Sequence, residues 1–351
     1  MSKVDLEIVL DGGDTLVAGS EVAGFVGVKV NKACRCRKLT VHLEWFTHGR
    51  GNRDRKEVAS VEVFAGQLEA GDRSLHPFSL TVPNGPFSYE GHNLNVAWQL
   101  RANVDVPLAF DPNIKRPVRV VPGTGLLAPV DHGPRAGRRV PAGARQAGKL
   151  ISGIIGGLSF FFVGLSFFVC MGTVFVGQAV ARPDPGAVVG AVISVVVPSV
   201  FMLLGIGFLA RAVRTAVTRT RLSELDFAVP DTAFAGETMD VGLSFRPRGA
   251  AGIQQVDLRL ECQEVVTSGS GTNRRTSRSL VRKVLAAGLE PGALQQGASV
   301  RASREIPLPA DAAVSFASNN NQVDWQAVLE VVFVDGRKVE ERRAFLVAPP
   351  R

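Results

Sequence analysis

LISGIIGGLSFFFVGLSFFVCMGTVFVGQAVA (residues 150–181) and GAVVGAVISVVVPSVFMLLGIGFLA (residues 186–210) carry no charged side chain. Only Arg182-Pro183-Asp184-Pro185 stands between them. The hydrocarbon core of a bilayer is about 30 Å thick. A helix rising about 1.5 Å per residue needs about 20 apolar residues to cross it. Both stretches exceed that length, so they predict two transmembrane helices, 150–181 and 186–210, joined by a tight turn at 182–185. A buried hairpin of a soluble protein would need a protein shell on every side. The cluster of Phe160, Phe161, Phe162, Phe167 and Phe168 argues against one. The first stretch begins near residue 150, which excludes a cleaved signal peptide.

Moving outward, the flanks of the two stretches hold the charge. The chain has 351 residues and a formal net charge of +8. Residues 1–122 sum to +1, residues 123–149 to +4, residues 211–221 to +4 and residues 222–351 to −1. A nucleic-acid surface would put the excess on a globular part; here it hugs the apolar stretches. Lys and Arg beside a span stay cytoplasmic. Arg135, Arg138, Arg139, Arg145 and Lys149 precede the first span, and Arg211, Arg214, Arg219 and Arg221 follow the second. Both large segments are therefore expected in the cytoplasm, on the inner membrane if the source is bacterial, as the Arg-, Ala- and Gly-rich usage suggests. The flanks set topology and can also rest on anionic lipid headgroups, at about 1 kcal/mol per basic residue. The linker 123–149, rich in Pro, Gly and Arg, reads as a tether. Cys34 and Cys36 are too close for a strand disulfide, Cys170 lies in a span and Cys262 is isolated, which agrees with a reducing compartment.

Further out, residues 1–122 read as short strands. Leu6, Ile8 and Leu10 alternate, as do Val22, Gly24, Val26 and Val28, and Leu39, Val41, Leu43 and Trp45. Turn residues such as Asp11-Gly12-Gly13-Asp14 and Pro83-Asn84-Gly85-Pro86 separate them, which predicts an antiparallel β-sandwich. Residues 222–351 repeat the plan. Asp14-Thr15 through Gly19 matches Asp231-Thr232 through Gly236, and Leu39, Val41, Leu43 and Glu44 match Val256, Leu258, Leu260 and Glu261 at the same offset of 217. Ser88-Tyr89, with Trp98-Gln99 downstream, matches Ser315-Phe316 with Trp325-Gln326. Two similar sandwiches in tandem follow.

The stretch Ala18-Gly19-Ser20-Glu21-Val22, the segment Pro86-Phe87-Ser88-Tyr89-Glu90-Gly91 with Val96-Ala97-Trp98-Gln99, and Ile306-Pro307 through Trp325 resemble the arrestin family over about 250 residues. The resemblance implies two immunoglobulin-like sandwiches of seven to eight strands each, and a role in holding other proteins. The chain departs from that family in placing a membrane hairpin between the sandwiches. It also lacks a Pro-Pro-x-Tyr tail, ending in Ala348-Pro349-Pro350-Arg351.

No residue pattern points to catalysis. His42, His48, His76, His92 and His132 lie at no familiar metal spacing, and no Walker loop, GxSxG elbow or dinucleotide fingerprint occurs. No catalytic residue, cofactor or metal is expected. Trp45, Trp98 and Trp325 read as core, since Trp on a central strand is a common sandwich element. Basic residues offer candidate partner contacts: Arg35, Arg37 and Lys38 at the start of a strand; Arg53, Arg55 and Lys56 in a glycine-containing loop; and Arg274 and Arg275 in the equivalent loop of the second repeat. Gly153 and Gly157, and Gly186 and Gly190, form small-xxx-small pairs suited to close helix packing, within the hairpin or between copies. Gln178 is the only strongly polar side chain in a span, and Pro198 interrupts the second.

The function that follows is a non-catalytic, membrane-anchored, arrestin-like adaptor that binds proteins at the cytoplasmic face and does not bind nucleic acid. The alternative is a subunit of an oligomeric transport or pore complex, whose sandwiches gate it; that reading expects polar, lumen-lining residues in the spans. An envelope enzyme would need converging carboxylates or histidines, and a lipid sensor would work through the basic flanks.

Overall fold

The computed structural model describes residues 3–107, 111–123, 142–181, 185–220, 222–247, 252–286 and 300–351. The first sandwich packs two sheets. One holds β1 (Val4–Leu10), β3 (Glu21–Val30) and β6 (Arg73–Thr81), in the order β1-β3-β6. The other runs β2-β9-β8-β4-β5, built from β2 (Thr15–Val17), β4 (Cys34–Gly49), β5 (Arg55–Leu68), β8 (Leu94–Asp105) and β9 (Asn113–Val121). The short β7 (Tyr89–Glu90) adds to β8.

The second sandwich copies it strand for strand. Its first sheet is β10 (Leu222–Ala228), β12 (Thr238–Pro247) and β15 (Val300–Pro307). Its second runs β11-β18-β17-β13-β14, from β11 (Thr232–Phe234), β13 (Ile253–Ser268), β14 (Arg275–Leu285), β17 (Asn321–Phe333) and β18 (Lys338–Ala348). The short β16 (Phe316–Ala317) adds to β17. Each described sandwich thus has nine strands rather than seven or eight. The extra ones are the short β2 and β7, with their equivalents β11 and β16, which have too few residues for alternation to show.

The repeated motifs are the joints of this topology. Thr15–Val17 pairs parallel to β9, and Thr232–Phe234 parallel to β18. Gly19 (φ +81°) and Gly236 (φ +82°) then turn the chain across to the other sheet, in a left-handed conformation that favours glycine. Ser88 exchanges two bonds with Val120: its amide donates to the Val120 carbonyl and its hydroxyl accepts from the Val120 amide. Ser315 does the same with Val347. Ten residues on, the Trp98 indole donates to the Pro86 carbonyl (3.0 Å) and the Trp325 indole to that of Ala313 (2.7 Å). Both Trp side chains are fully buried, so each fills the centre of its core while its one polar atom is satisfied.

In chain order the helical hairpin comes between the two sandwiches. Its first arm is α1 (Ala142–Phe167), a single π-helical turn (Phe168–Gly172) and α2 (Thr173–Ala181); its second is α3 (Pro185–Thr220), which runs through Pro198 as one helix. The helices extend past the apolar stretches, from within the segment read as a tether to the end of the basic segment. Among the described residues, two helical stretches are long and apolar enough to cross a membrane: Ile151–Gln178 (mean hydropathy 2.3) and Val188–Arg214 (2.5). Glycines set the approach of the arms. A Cβ on Gly157 would lie 2.9 Å from Leu209 and 3.1 Å from the Gly205 carbonyl oxygen. One on Gly205 would lie 2.7 Å from the Phe161 amide nitrogen and 2.8 Å from the Gly157 carbonyl oxygen. Gly164 meets Pro198 and Met202 in the same way, and Gly153 faces Ala212 more loosely. Gly186 is exposed and Gly190 half-buried. Phe160 stacks on Phe201 and Phe208 beside the seam.

Gly205 and Gly207 separate close packing from helix propensity, because nothing lies within 4 Å of a Cβ on Gly207. Gly207→Ala is expected to hold or raise the melting temperature of the detergent-solubilised chain, since alanine is favoured by up to about 1 kcal/mol in a helix. Gly205→Ala is expected to lower it, because two backbone strands of atoms must move apart.

Candidate functional site

The sequence-selected basic residues divide into separate places. Arg35, Arg37 and Lys38 are exposed within β4, whose intervening Cys34 and Cys36 face the core. Burial, with Cys34, Asp105 and Glu62 nearby, pushes the Cys36 thiol up to about 11, so it stays protonated. This cluster sits at the far end of β4 from Arg53, about 40 Å away at 3.3 Å per strand residue. Arg53 lies over the Phe46 ring (4.3 Å), and Lys56 is exposed. Arg55 is committed: its Nε donates to Glu44 at 2.9 Å. Arg274 and Arg275 are exposed. Of the membrane-flanking residues, Arg211 and Arg214 are exposed on α3. Arg145 and Lys149 lie in α1 and Arg219 in α3, while Arg135, Arg138, Arg139 and Arg221 fall outside the described residues.

The two loops that the repeat made equivalent meet each other. The Asn52 amide nitrogen donates to the Thr267 carbonyl (2.8 Å), its side chain donates to the Gly269 carbonyl (2.8 Å), and the Gly269 amide donates back to Asn52 Oδ1 (3.1 Å). They form one flank of a polar seam between the sandwiches. At its centre are two buried carboxylates, each held by the opposite sandwich.

Asp54, in the first sandwich, accepts from the Ser318 hydroxyl (2.6 Å), the Asn320 amide (2.9 Å), and the side-chain amides of Asn320 (2.7 Å) and Asn321 (2.9 Å). Glu264, in the second and fully buried, accepts from the Tyr89 hydroxyl (2.9 Å) and the backbone amides of His92 (2.9 Å) and Asn93 (2.6 Å). Neither carboxylate forms an ion pair with a described residue; neutral donors alone replace water. Glycines admit the approach, since a side chain on Gly91 would strike the Glu264 carboxylate and one on Gly51 would strike Asn321. Trp45 meets Phe316 edge-on at 5.8 Å across the seam. Burial and the bond to Glu264 push the Tyr89 phenol strongly up, and burial pushes the Cys262 thiol up to about 12.

A second repeated feature lies on the outer sheet faces. Glu44, 1 % exposed, is ringed by Arg55, Gln99 and, at 3.6 Å, Arg101. His42 Nδ1 lies 2.9 Å from Glu57, which also approaches Arg101. Glu261 occupies the equivalent place, between Arg259 (2.7 Å) and Arg342 (2.8 Å), with Glu330, Glu340 and Lys338 extending the network. Burial raises the affinity of both glutamates for a proton. The hydrogen bonds from Arg55 and Gln99 to Glu44, and from Arg259 and Arg342 to Glu261, outweigh it and hold both below the ordinary value of 4.5. Sequence reasoning found these glutamates only as repeat matches. It missed Asp54 and Glu264; the clue was the pair of short polar runs Gly91-His92-Asn93 and Ser318-Asn319-Asn320-Asn321 at equivalent places.

Among the described residues, no group of three or more His, Cys, Asp or Glu is placed to hold a metal ion. No protein-family model matches the chain, and no curated protein matches it. Among solved structures, it is similar to that of Spo0M, a sporulation control protein from Bacillus subtilis. The TM-score is 0.31 and the sequence identity 10%, over 98% of this chain and 91% of that one. The tandem-sandwich architecture stands on the strand pairings given above.

Two outcomes check this chemistry. Asp54→Ala strips the acceptor from four buried or half-buried donors and is expected to destabilise the chain by about 1–3 kcal/mol in urea titration, with the seam loops becoming the first protease sites. A depressed carboxylate contributes stability above its unfolded pKa and loses it as pH falls through the folded one. The chain is therefore expected to lose stability as pH falls below about 4.5, and Glu44→Gln with Glu261→Gln to flatten that acid limb, read as melting temperature against pH.

Proposed function

We propose that this chain is a membrane-anchored adaptor of the arrestin-like kind, which binds proteins at the cytoplasmic face without catalysing a reaction. The observation that carries it is the hairpin's unspent apolar surface. In Ile151–Gln178 only 11% of the most apolar window is buried, and in Val188–Arg214 only 17%. Phe162, Phe167, Val189, Val192 and Leu203 are among the exposed side chains. Among the described elements the arms pack chiefly on each other, with brief contacts of α1 and α3 with β18 and of α3 with β10. Apolar surface left in water costs about 25 cal/mol per Å², and lipid removes that cost.

The seam supports a shared side for both sandwiches. Groups that exchange hydrogen bonds lie in one compartment, and a two-helix crossing returns the chain to the side it left. The basic flanks favour the cytoplasm as that side. Anchoring then confines both sandwiches to one leaflet and raises their effective concentration toward membrane partners. With partner contacts on exposed loops and strand edges, tethering itself is the activity.

In sealed inverted vesicles from the native host, added protease is expected to digest both sandwiches, and in right-side-out vesicles neither. A photo-crosslinker at Lys38 or Arg274 is expected to give discrete adducts with membrane proteins. Digestion of one sandwich alone, or adducts to lipid alone from both positions, would overturn the reading.

A further inference from the structure

We propose that β14 is a docking edge to which an acidic, extended segment of a partner protein adds as a further strand. This deepens the adaptor reading and rests on it for purpose, though its chemistry stands by itself.

The internal repeat provides the comparison. In the first sandwich the equivalent edge, β5, packs along β6, with the Phe64 ring 4.6 Å from that of His76. In the second, β14 likewise ends its sheet, beyond β13, but no described strand is packed along it as β6 is along β5. None of its eleven residues is buried. Leu280 (53 % exposed), Val281 (42 %) and Leu285 (71 %) stand in solvent. An edge of this length exposes unpaired backbone donors and acceptors and serves as a template for another strand.

Charge selects the occupant. Residues 274–286 hold Arg274, Arg275, Arg278, Arg282 and Lys283 and no carboxylate. Arg282 is bonded to Asp311 at 2.9 Å. Arg274, Arg275, Arg278 and Lys283 form no ion pair with a described residue. Self-pairing of two copies in antiparallel register about Leu280 would set Arg278 opposite Arg282, and like charges directly opposite destabilise a ladder. A segment alternating carboxylates with β-branched apolar residues instead sets its carboxylates on the outer face beside Arg278 and Lys283, where their methylene stems lie against Leu280 and Leu285. Outer-face neighbours reinforce the pattern, because Leu280 pairs with Gln263 and Lys283 with Glu261, whose carboxylate is already taken by Arg259 and Arg342.

The test uses the whole chain in nanodiscs of zwitterionic lipid and a short fluorescent peptide alternating Glu and Val. Anisotropy is expected to show binding that weakens with salt, while the Lys/Val counterpart does not bind. Methylating the peptide's backbone nitrogens along the edge that would face β14 is expected to weaken binding by about tenfold or more, which charge attraction alone would not do. The variant Arg275→Glu/Arg278→Glu/Lys283→Gln is expected to lose binding by a similar factor with an unchanged melting temperature. Equal binding of the methylated peptide would reduce the edge to a charge patch and overturn strand addition. Absent peptide binding, with the triple variant losing affinity only for phosphatidylserine vesicles, would assign the edge to lipid and overturn the proposal. Either result leaves the vesicle topology and crosslinking of the adaptor reading to stand or fall on their own.

Discussion

Two carboxylates removed from water, each solvated by a loop of the other sandwich, make one body of two repeats. A charge buried without its hydrogen bonds costs far more than a neutral polar group. Asp54 and Glu264 therefore penalise any shift that breaks these bonds while keeping the anions buried, and full parting exchanges the bonds for water at a smaller net cost. The lock is reciprocal without being symmetric. Glu264 occupies the position that Thr47 holds in the first repeat, and Thr47 instead hydrogen-bonds to the Asp54 amide and the Asn321 side chain. The duplicated scaffold thus differs where its halves touch.

That division explains what could be read in advance. Alternation in β3 and β4, the Gly19 and Gly236 turns, and the Ser-to-Trp spacing are local or periodic, and the repeat displayed each twice. The apolar hairpin was legible because its length and composition are written residue by residue in two uncharged runs. The seam was not, because its partners lie far apart in sequence and consist of ordinary loop residues: Asp54, Asn320, His92. Arg55 looked like a free partner-binding cation, yet strand pairing brings it onto Glu44. Periodicity gives the face on which a side chain lies; only the fold shows who stands opposite. The edge character of β14 was likewise hidden, since a strand's own sequence does not show which strand stands beside it.

The hairpin and the sandwiches solve opposite solvation problems. Within the hairpin, glycines at 157, 164 and 205 let backbones approach, and the outward face is mostly apolar. Across the seam, glycines at 51 and 91 also permit close approach, but to polar side chains. In both places the absent Cβ is what allows contact, and the surroundings decide whether that contact is oily or hydrogen-bonded.

The donors to Asp54 lie more than 260 residues downstream, beyond both helices. During synthesis the first half therefore emerges with its acid unsatisfied and must wait for the last strands. If only one helix of the pair inserted, the halves would be stranded in different compartments and the acid would never meet its donors. If the hairpin spans a bilayer as proposed, the junction can close only on chains that have crossed an even number of times.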